Sequence, residues 1–273
     1  MRAFADELPV SLTKAQRAVV AEVCSHFRPR LELDVGAERA VRFRLEELKM
    51  LHHEVGHALH FEEDGRKRNS LRHVGDIVEK TMRRFFEIDA IPATRRLYQL
   101  RIALEGTTPE IWRRIQVKDC TLVRLHKHIQ LAMGWEDYHL YSFDIAGVEY
   151  ADTELVDEFY GEDAREVRLG DVLPKGGQRS SFHYVYDFGD GWEHEILFEG
   201  CSTVEPGSRY PECLEGERAC PPEDVGGVHG FEEYLAALAD PTHSEHESYM
   251  EWRGAFDPEK FSAERVTKRM QRS

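Results

Sequence analysis

The chain has 273 residues, is 41% apolar and 32% charged, and carries a formal net charge of −15, which suits one large soluble domain or two ordinary ones. No apolar run approaches the ~18 residues of a bilayer-crossing helix, and Met1–Glu7 lacks the apolar centre of a signal peptide, so a cytoplasmic protein with no membrane partner is expected. Residues 1–95 hold 17 Lys and Arg against 16 Asp and Glu, so the acidity belongs to the rest, which would repel a phosphate backbone, and any nucleic-acid role is expected in the near-neutral first part.

The first ninety residues read as helices. Thr13-Lys14-Ala15-Gln16 is a capping-box signature, followed by Ala15, Val19, Val23 and Phe27 at helical spacing. A second helix is expected from about Leu45. It contains Leu51-His52-His53-Glu54-Val55-Gly56-His57, in which His53, Glu54 and His57 have the spacing of a zinc peptidase. The helix faces argue against that use. With Leu48 at zero and 100° per residue, Leu51, Val55 and Leu59 gather on one face, while His53 and His57 fall at about 140° and 180°, away from the core. Gly56 weakens the helix and no third ligand follows, so His53 and His57 read as a chance match on a solvated face. Arg66-Lys67-Arg68 with Arg72 is the compact basic cluster of this part, read as a solvated helix start. Leu71, Val74, Val78, Met82 and Phe85 form the stripe of a third helix after Asn69-Ser70, and Ile91-Pro92-Ala93-Thr94 ends it. A domain boundary is therefore expected between 1–92 and 93–273.

Beyond it the period alternates. Tyr98, Leu100, Ile102 and Leu104 face one way, a turn follows at Gly106-Thr107-Thr108-Pro109, and Ile111–Val117 is a second strand. Thr121–Met133 returns to helical spacing, and His139–Ile145 and Val148–Tyr150 are strands around Ala146-Gly147. An acidic insertion at 152–166 precedes Leu169–Leu173 and the strand Phe182–Phe188. This order is similar to the β-grasp arrangement of ubiquitin, with a parallel return strand beside the first. A strand over Glu193–Glu199, an ordered loop from Cys201 to Gly230, a short helix over Phe231–Ala239 and a last helix opened by Asp257-Pro258 complete the chain. The fold class expected is α+β: a helical N-terminal domain, then a β-grasp-like sheet with insertions and C-terminal helices.

Several unusual strings occur in order: Gly134-Trp135, His139-Leu140-Tyr141-Ser142-Phe143, Tyr186-Asp187-Phe188-Gly189-Asp190-Gly191-Trp192-Glu193-His194, Cys220-Pro221-Pro222-Glu223-Asp224-Val225-Gly226-Gly227, Asp240-Pro241 and Trp252-Arg253-Gly254-Ala255-Phe256-Asp257-Pro258. Together they make residues 97–270 resemble the plasmid pRiA4b open reading frame three family. The helical N-terminal part looks like an extension found on some members. The resemblance implies a bacterial or archaeal protein, on plasmids or mobile elements in some members, and no established reaction. A resolvase label sometimes attached to the family fails a chemical test, because the acidic sheet region offers neither a nucleophilic serine among arginines nor a basic DNA-binding module.

Three further sets of residues bear on chemistry. Cys213 and Cys220, with Cys201 upstream and His194, His229 and His243 as potential partners, would suit a structural zinc, but no C-x-x-C pair is present. Five scattered cysteines, Cys24 and Cys120 among them, suit reduced thiols. Asp187, Asp190 and His194 beside Trp192 form either an acid/base or metal cluster, or a capped glycine turn over a packed ring. Glu223 and Asp224 are double in the same way, and the two loops make the best pocket of the chain if they meet. Trp135, Tyr138, His139 and Tyr141 add aromatic surface. The reading is a non-enzymatic binding or adaptor module with a protein or small-molecule partner, its ligand residues Asp187, Asp190, Trp192, His194, Glu223 and Asp224, with no cofactor favoured. The alternatives are a metal-dependent hydrolase and a nucleic-acid accessory protein of a mobile element.

Overall fold

The computed structural model describes residues 7–31, 40–155 and 161–272. These separate into two compact units, one of the described residues through Ile91 together with Pro174–Gln178, the other of Pro92–Leu173 and Arg179 onward.

The first unit is helical with a small sheet that the helical reading did not anticipate. Strand β1 (Glu7–Ser11) leads through the Thr13–Gln16 capping box into α1 (Lys14–Val23), then α2 (Arg28–Leu31). Strand β2 (Ala40–Arg44) pairs antiparallel with β1, setting Leu8 opposite Phe43 and Val10 opposite Val41, all four buried. Helix α1 turns Val20 and Ala21 inward and leaves Ala15 exposed, so its buried stripe is rotated from the expected one. In α3 (Leu45–Phe61) Leu48, Leu51 and Val55 are buried and His53 and His57 are exposed. Helix α4 (Gly65–Asp89) starts earlier than expected because Asp64, not Asn69-Ser70, caps it, accepting from the amides of Arg66 and Lys67. The basic cluster stands at that first turn, where Lys67 pairs with Glu22 at 2.6 Å.

The second unit is an eight-stranded sheet covered on one face. Strands β3 (Arg96–Leu104) and β4 (Ile111–Lys118) form a hairpin, and Thr121 caps α5 (Leu122–Met133), which ends on left-handed Gly134. Then follow β5 (Tyr141–Ile145), β6 (Val148–Ala151), β7 (Glu162–Asp163), α6 (Leu169–Val172), β8 (Ser180–Tyr186), β9 (Trp192–Thr203), β10 (Glu212–Glu217), α7 (Gly227–Ala239), α8 (His246–Arg253) and α9 (Ala263–Met270). The sheet order is β10-β4-β3-β9-β8-β5-β6-β7, antiparallel except for β6 with β7. Tyr98, Leu100, Ile102, Leu104, Phe182, Tyr184 and Ile196 meet Leu125, Ile129 and Met133 of α5 in one continuous core. Each such side chain contributes about 1.5–3 kcal/mol on burial.

The chain is thus α+β with a large mixed sheet. The parallel pairing of a return strand with β3 is not present: β8 runs in the same sense as β3, but β9 lies between them and is antiparallel to both. The twelve-residue β9 is long enough to ladder both neighbours, and its tight turn from β8 makes it the first strand to reach that place. The Cys201–Gly230 stretch contains β10 and the start of α7. The last helix begins after a Ser262 cap, while Asp257–Lys260 closes only a turn.

Candidate functional site

The turn from β8 to β9 is built on Asp187, whose φ of 56° is left-handed, a conformation that Asp tolerates better than most side chains. Its Oδ1 accepts from the amides of Gly189 at 2.9 Å and Asp190 at 3.3 Å. Those bonds leave Oδ2 turned to the His139 Nε2, 3.5 Å away. His139 arrives because β5 and β8 are antiparallel with Tyr141 opposite Tyr186, which carries the residues before β5 to the end of β8. The Asp187 amide closes that end on the carbonyl of Leu140.

The loop before α7 reaches the same place. Asp190 Oδ2 accepts from the Gly226 amide at 3.1 Å, so the Asp190 and Asp224 loops meet. Gly227 has φ +68°, and a Cβ there would stand 2.4 Å from the Asp190 carbonyl oxygen, so glycine permits the approach. Asp224, also left-handed at φ 59°, places Oδ1 3.0 Å from His139 Nε2. The donor atoms of His139, Asp187 and Asp224 lie within 4.8 Å of one another, the single such cluster of three or more His, Cys, Asp and Glu ligands among the described residues.

Glu223 lies beneath. It is 3% exposed, and its Oε1 accepts from the Glu136 amide at 2.7 Å and the Tyr186 hydroxyl at 3.1 Å, while Oε2 is buried without a partner. Burial raises its carboxyl above the ordinary range. The Tyr186 oxygen in turn accepts from the Tyr138 amide. The 135–139 segment is anchored from below by Asp137, which meets His126 at 2.6 Å and pairs with Lys127. Burial opposes its ionisation, but those two hydrogen bonds prevail and hold the Asp137 carboxyl down at about 2. Tyr138 and Phe188, the neighbours of His139 and Asp187 in sequence, are exposed.

Of the residues singled out by sequence, Asp187, Asp190, Glu223 and Asp224 come together. Trp192 and His194 do not join them: both have no exposed surface, with Trp135 tilted against the Trp192 ring and edge-on to His194. The His194 Nδ1 donates to the Tyr184 carbonyl, and burial depresses the imidazole to about 4, making it a neutral core group. Cys213 is buried, its thiol turned to the Glu215 carbonyl, and neither it nor Cys220 joins a metal-binding cluster among the described residues. In α3, His57 leans on Phe61 at 5.0 Å, and Glu54 meets the buried Cys24 thiol. His139 was legible in the sequence only as aromatic surface. Its signal is positional: it stands two residues before a strand that pairs with the one ending at Asp187.

Chemically, one imidazole nitrogen and two carboxylate oxygens suit a borderline divalent cation such as zinc, manganese or ferrous iron. Ligand atoms around one such ion at about 2.1 Å lie about 3–3.5 Å apart. The two His139 separations already have that length.

Residues 96–265 match the family described as plasmid pRiA4b ORF-3-like protein. The chain belongs to this family. The pRiA4b ORF-3-like region includes His139, Asp187 and Asp224 and leaves residues through Arg95 outside. An uncharacterized protein of Sinorhizobium fredii is 42% identical over 163 residues, which is 58% of this chain and 81% of that protein. The crystal structure of a protein of unknown function from Methanosarcina mazei Go1 is similar at 37% identity and a TM-score of 0.55, covering 62% of this chain and 97% of that one. Among the described residues no helix is long and apolar enough to cross a membrane.

Proposed function

We propose that this chain is a binding module that takes up one divalent metal ion through His139, Asp187 and Asp224 and presents it to a ligand. The observation that supports this reading is the convergence of three donor atoms from three separate segments on one point. The two aspartates are held in left-handed turns, and Asp187 is fixed by backbone amides, so the donors stand ready without a helix to align them. Three protein ligands leave coordination positions for an oxygen of the partner. Exposed Tyr138 and Phe188 beside them supply apolar contact, which favours a ligand combining an oxygen donor with an aromatic or aliphatic group.

The test is equilibrium dialysis of untagged protein against zinc and manganese. One ion per chain is expected, lost in His139→Ala and in Asp224→Asn while circular dichroism stays unchanged. Wild-type stoichiometry in both variants would remove the reading.

Glu223 favours a second reading, metal-assisted hydrolysis. A buried carboxyl with an orphaned oxygen next to a metal ligand is a candidate proton carrier for a metal-bound water. Turnover on an ester and phosphoester panel that vanishes in Glu223→Gln, with cation uptake intact, would carry it. A panel with no turnover at all leaves binding as the function.

A further inference from the structure

The acidic second unit carries a strongly basic surface formed by two adjoining recesses. A cleft of about 600 Å³ is walled by Arg113, Lys260, Arg265 and Arg269, with Phe261 and Cys220 beside them. A second recess of about 540 Å³ shares Arg265 and Arg269 and adds Lys268 and Arg272. Among the described residues no carboxylate lines either one.

Arg113 is the unusual member. It is 2% exposed, and its guanidinium donates only to backbone carbonyls, those of Trp112, Ala132, Glu217 and Arg218, at 2.7–3.1 Å. A buried cation ordinarily has a carboxylate partner, because neutral dipoles replace lost hydration only in part. Arg269 lies against it: its side chain donates to the Leu131 carbonyl and, like that of Arg113, to the Ala132 carbonyl. Gly134 makes room for this, since a Cβ there would be 3.2 Å from the Arg269 Nη1. Two guanidinium groups therefore converge on one oxygen.

Their neighbours do not neutralise them. The shared Ala132 carbonyl belongs to the C-terminal turn of α5, whose dipole supplies about half a negative charge against two full positive ones. The nearby thiols are neutral, since burial pushes Cys213 up to about 11 and Cys220 higher still. Lys268 is engaged by Glu264 at 2.5 Å, and Glu264 also feels the charge of Arg265 without a hydrogen bond to it, so the one acidic neighbour is shared between two cations. The balance left in the cleft is close to two or more positive charges.

We infer that this cleft binds a phosphorylated small molecule, its phosphoryl group held by Lys260, Arg265 and Arg269 over the buried charge of Arg113. A phosphate monoester brings about −1.5 to −2 charges, which matches the surplus, whereas a single carboxylate brings one. Guanidinium forks suit its tetrahedral oxygens, and the volume falls in the range of ligand pockets rather than of an ion site.

The experiment uses the whole protein, stripped of metal by chelation and then dialysed. It is titrated at fixed ionic strength with inorganic phosphate, pyrophosphate and adenosine monophosphate, with the heat of binding and the melting temperature as readouts. Saturable one-site binding of at least one probe is expected. Lys260→Gln with Arg265→Gln, both on exposed side chains, leaves the melting temperature without ligand unchanged and weakens binding by roughly tenfold or more. Lys14→Gln with Lys80→Gln, which removes the same charge elsewhere, binds as the wild type does. Three outcomes each overturn the inference: no saturable binding of any probe, unchanged affinity in the Lys260/Arg265 variant, or an equal response to sulfate and citrate.

Discussion

Helix α3 carries His53, Glu54 and His57 within five residues, whereas His139 and Asp224 stand 85 residues apart. The compact motif is the less settled arrangement of side chains. On α3 the two imidazoles are exposed opposite the buried face, one resting on Phe61, and Glu54 turns to a thiol. In the loops, Asp187 is fixed by two amides, Asp190 by a third, and His139 is drawn between two carboxylates. Spacing along a helix sets an angle between side chains. A cation site also needs side chains whose rotamers are already settled, and backbone hydrogen bonds settle those of Asp187 and Asp190.

The sharpest way to break this contrast is to remove one ligand from each place. Asp187→Ala is expected to abolish uptake of zinc or manganese in equilibrium dialysis, and His53→Ala with His57→Ala to leave one ion per chain. The reverse result would move the cation to α3. Next in size is Trp192→Ala. Its ring is fully buried under the loop, so urea unfolding should show a loss of about 3–5 kcal/mol. A stable variant with altered ligand binding would return Trp192 to the site.

Acid should act on stability through the core histidines. His128 and His194 sit at about 4 and His126 is also lowered, in each case by burial, against 6.5 in the unfolded chain. The unfolded state therefore takes up protons first. Their contribution is complete above pH 6.5 and is lost as pH falls toward 4, at about 1.4 kcal/mol per pH unit for each fully coupled group. Urea midpoints at pH 7 and pH 5 measure this, and His128→Gln should flatten the slope. The smallest effect expected is Gly227→Ala, at about 1–3 kcal/mol, from strain at φ +68° and the clash with the Asp190 carbonyl; it should also weaken cation uptake, because it pushes the two loops apart.

Much of this architecture was readable. The alternation of Tyr98, Leu100, Ile102 and Leu104 and the 3–4 spacing of Leu122, Leu125, Ile129 and Met133 are strong periodic signals, and the structure buries all eight. What escaped is what depends on partners far along the chain. Strands β1 and β2 are five residues each, too short for alternation to outweigh the helical stretch around them. Strand β10 hides in a Pro- and Gly-rich stretch because its edge position lets it keep Glu212, Glu215 and Glu217. Asp187, Asp190, Glu223 and Asp224, which the structure brings together, stand out in the sequence because carboxylates beside glycines mark turns that hold charge. Trp192 and His194 belong to the same string, but strand alternation turns them into the core, and a one-residue step in register decides which side a residue faces. His139 needed the β5–β8 register, which no local pattern reveals.

The place of β9 also has a consequence in time. It ladders to β3 with Thr203 opposite Arg96 and His194 opposite Leu104, so the middle of the sheet closes a loop of about a hundred residues. During synthesis β3, β4 and α5 emerge long before that partner exists, and the free edge of β3 waits unpaired until β9 leaves the ribosome. Such distant pairing makes folding slow and late. The proposed cation ligands come together later still, because Asp224 is made after β9 and can reach His139 only once the sheet has joined β5 to β8.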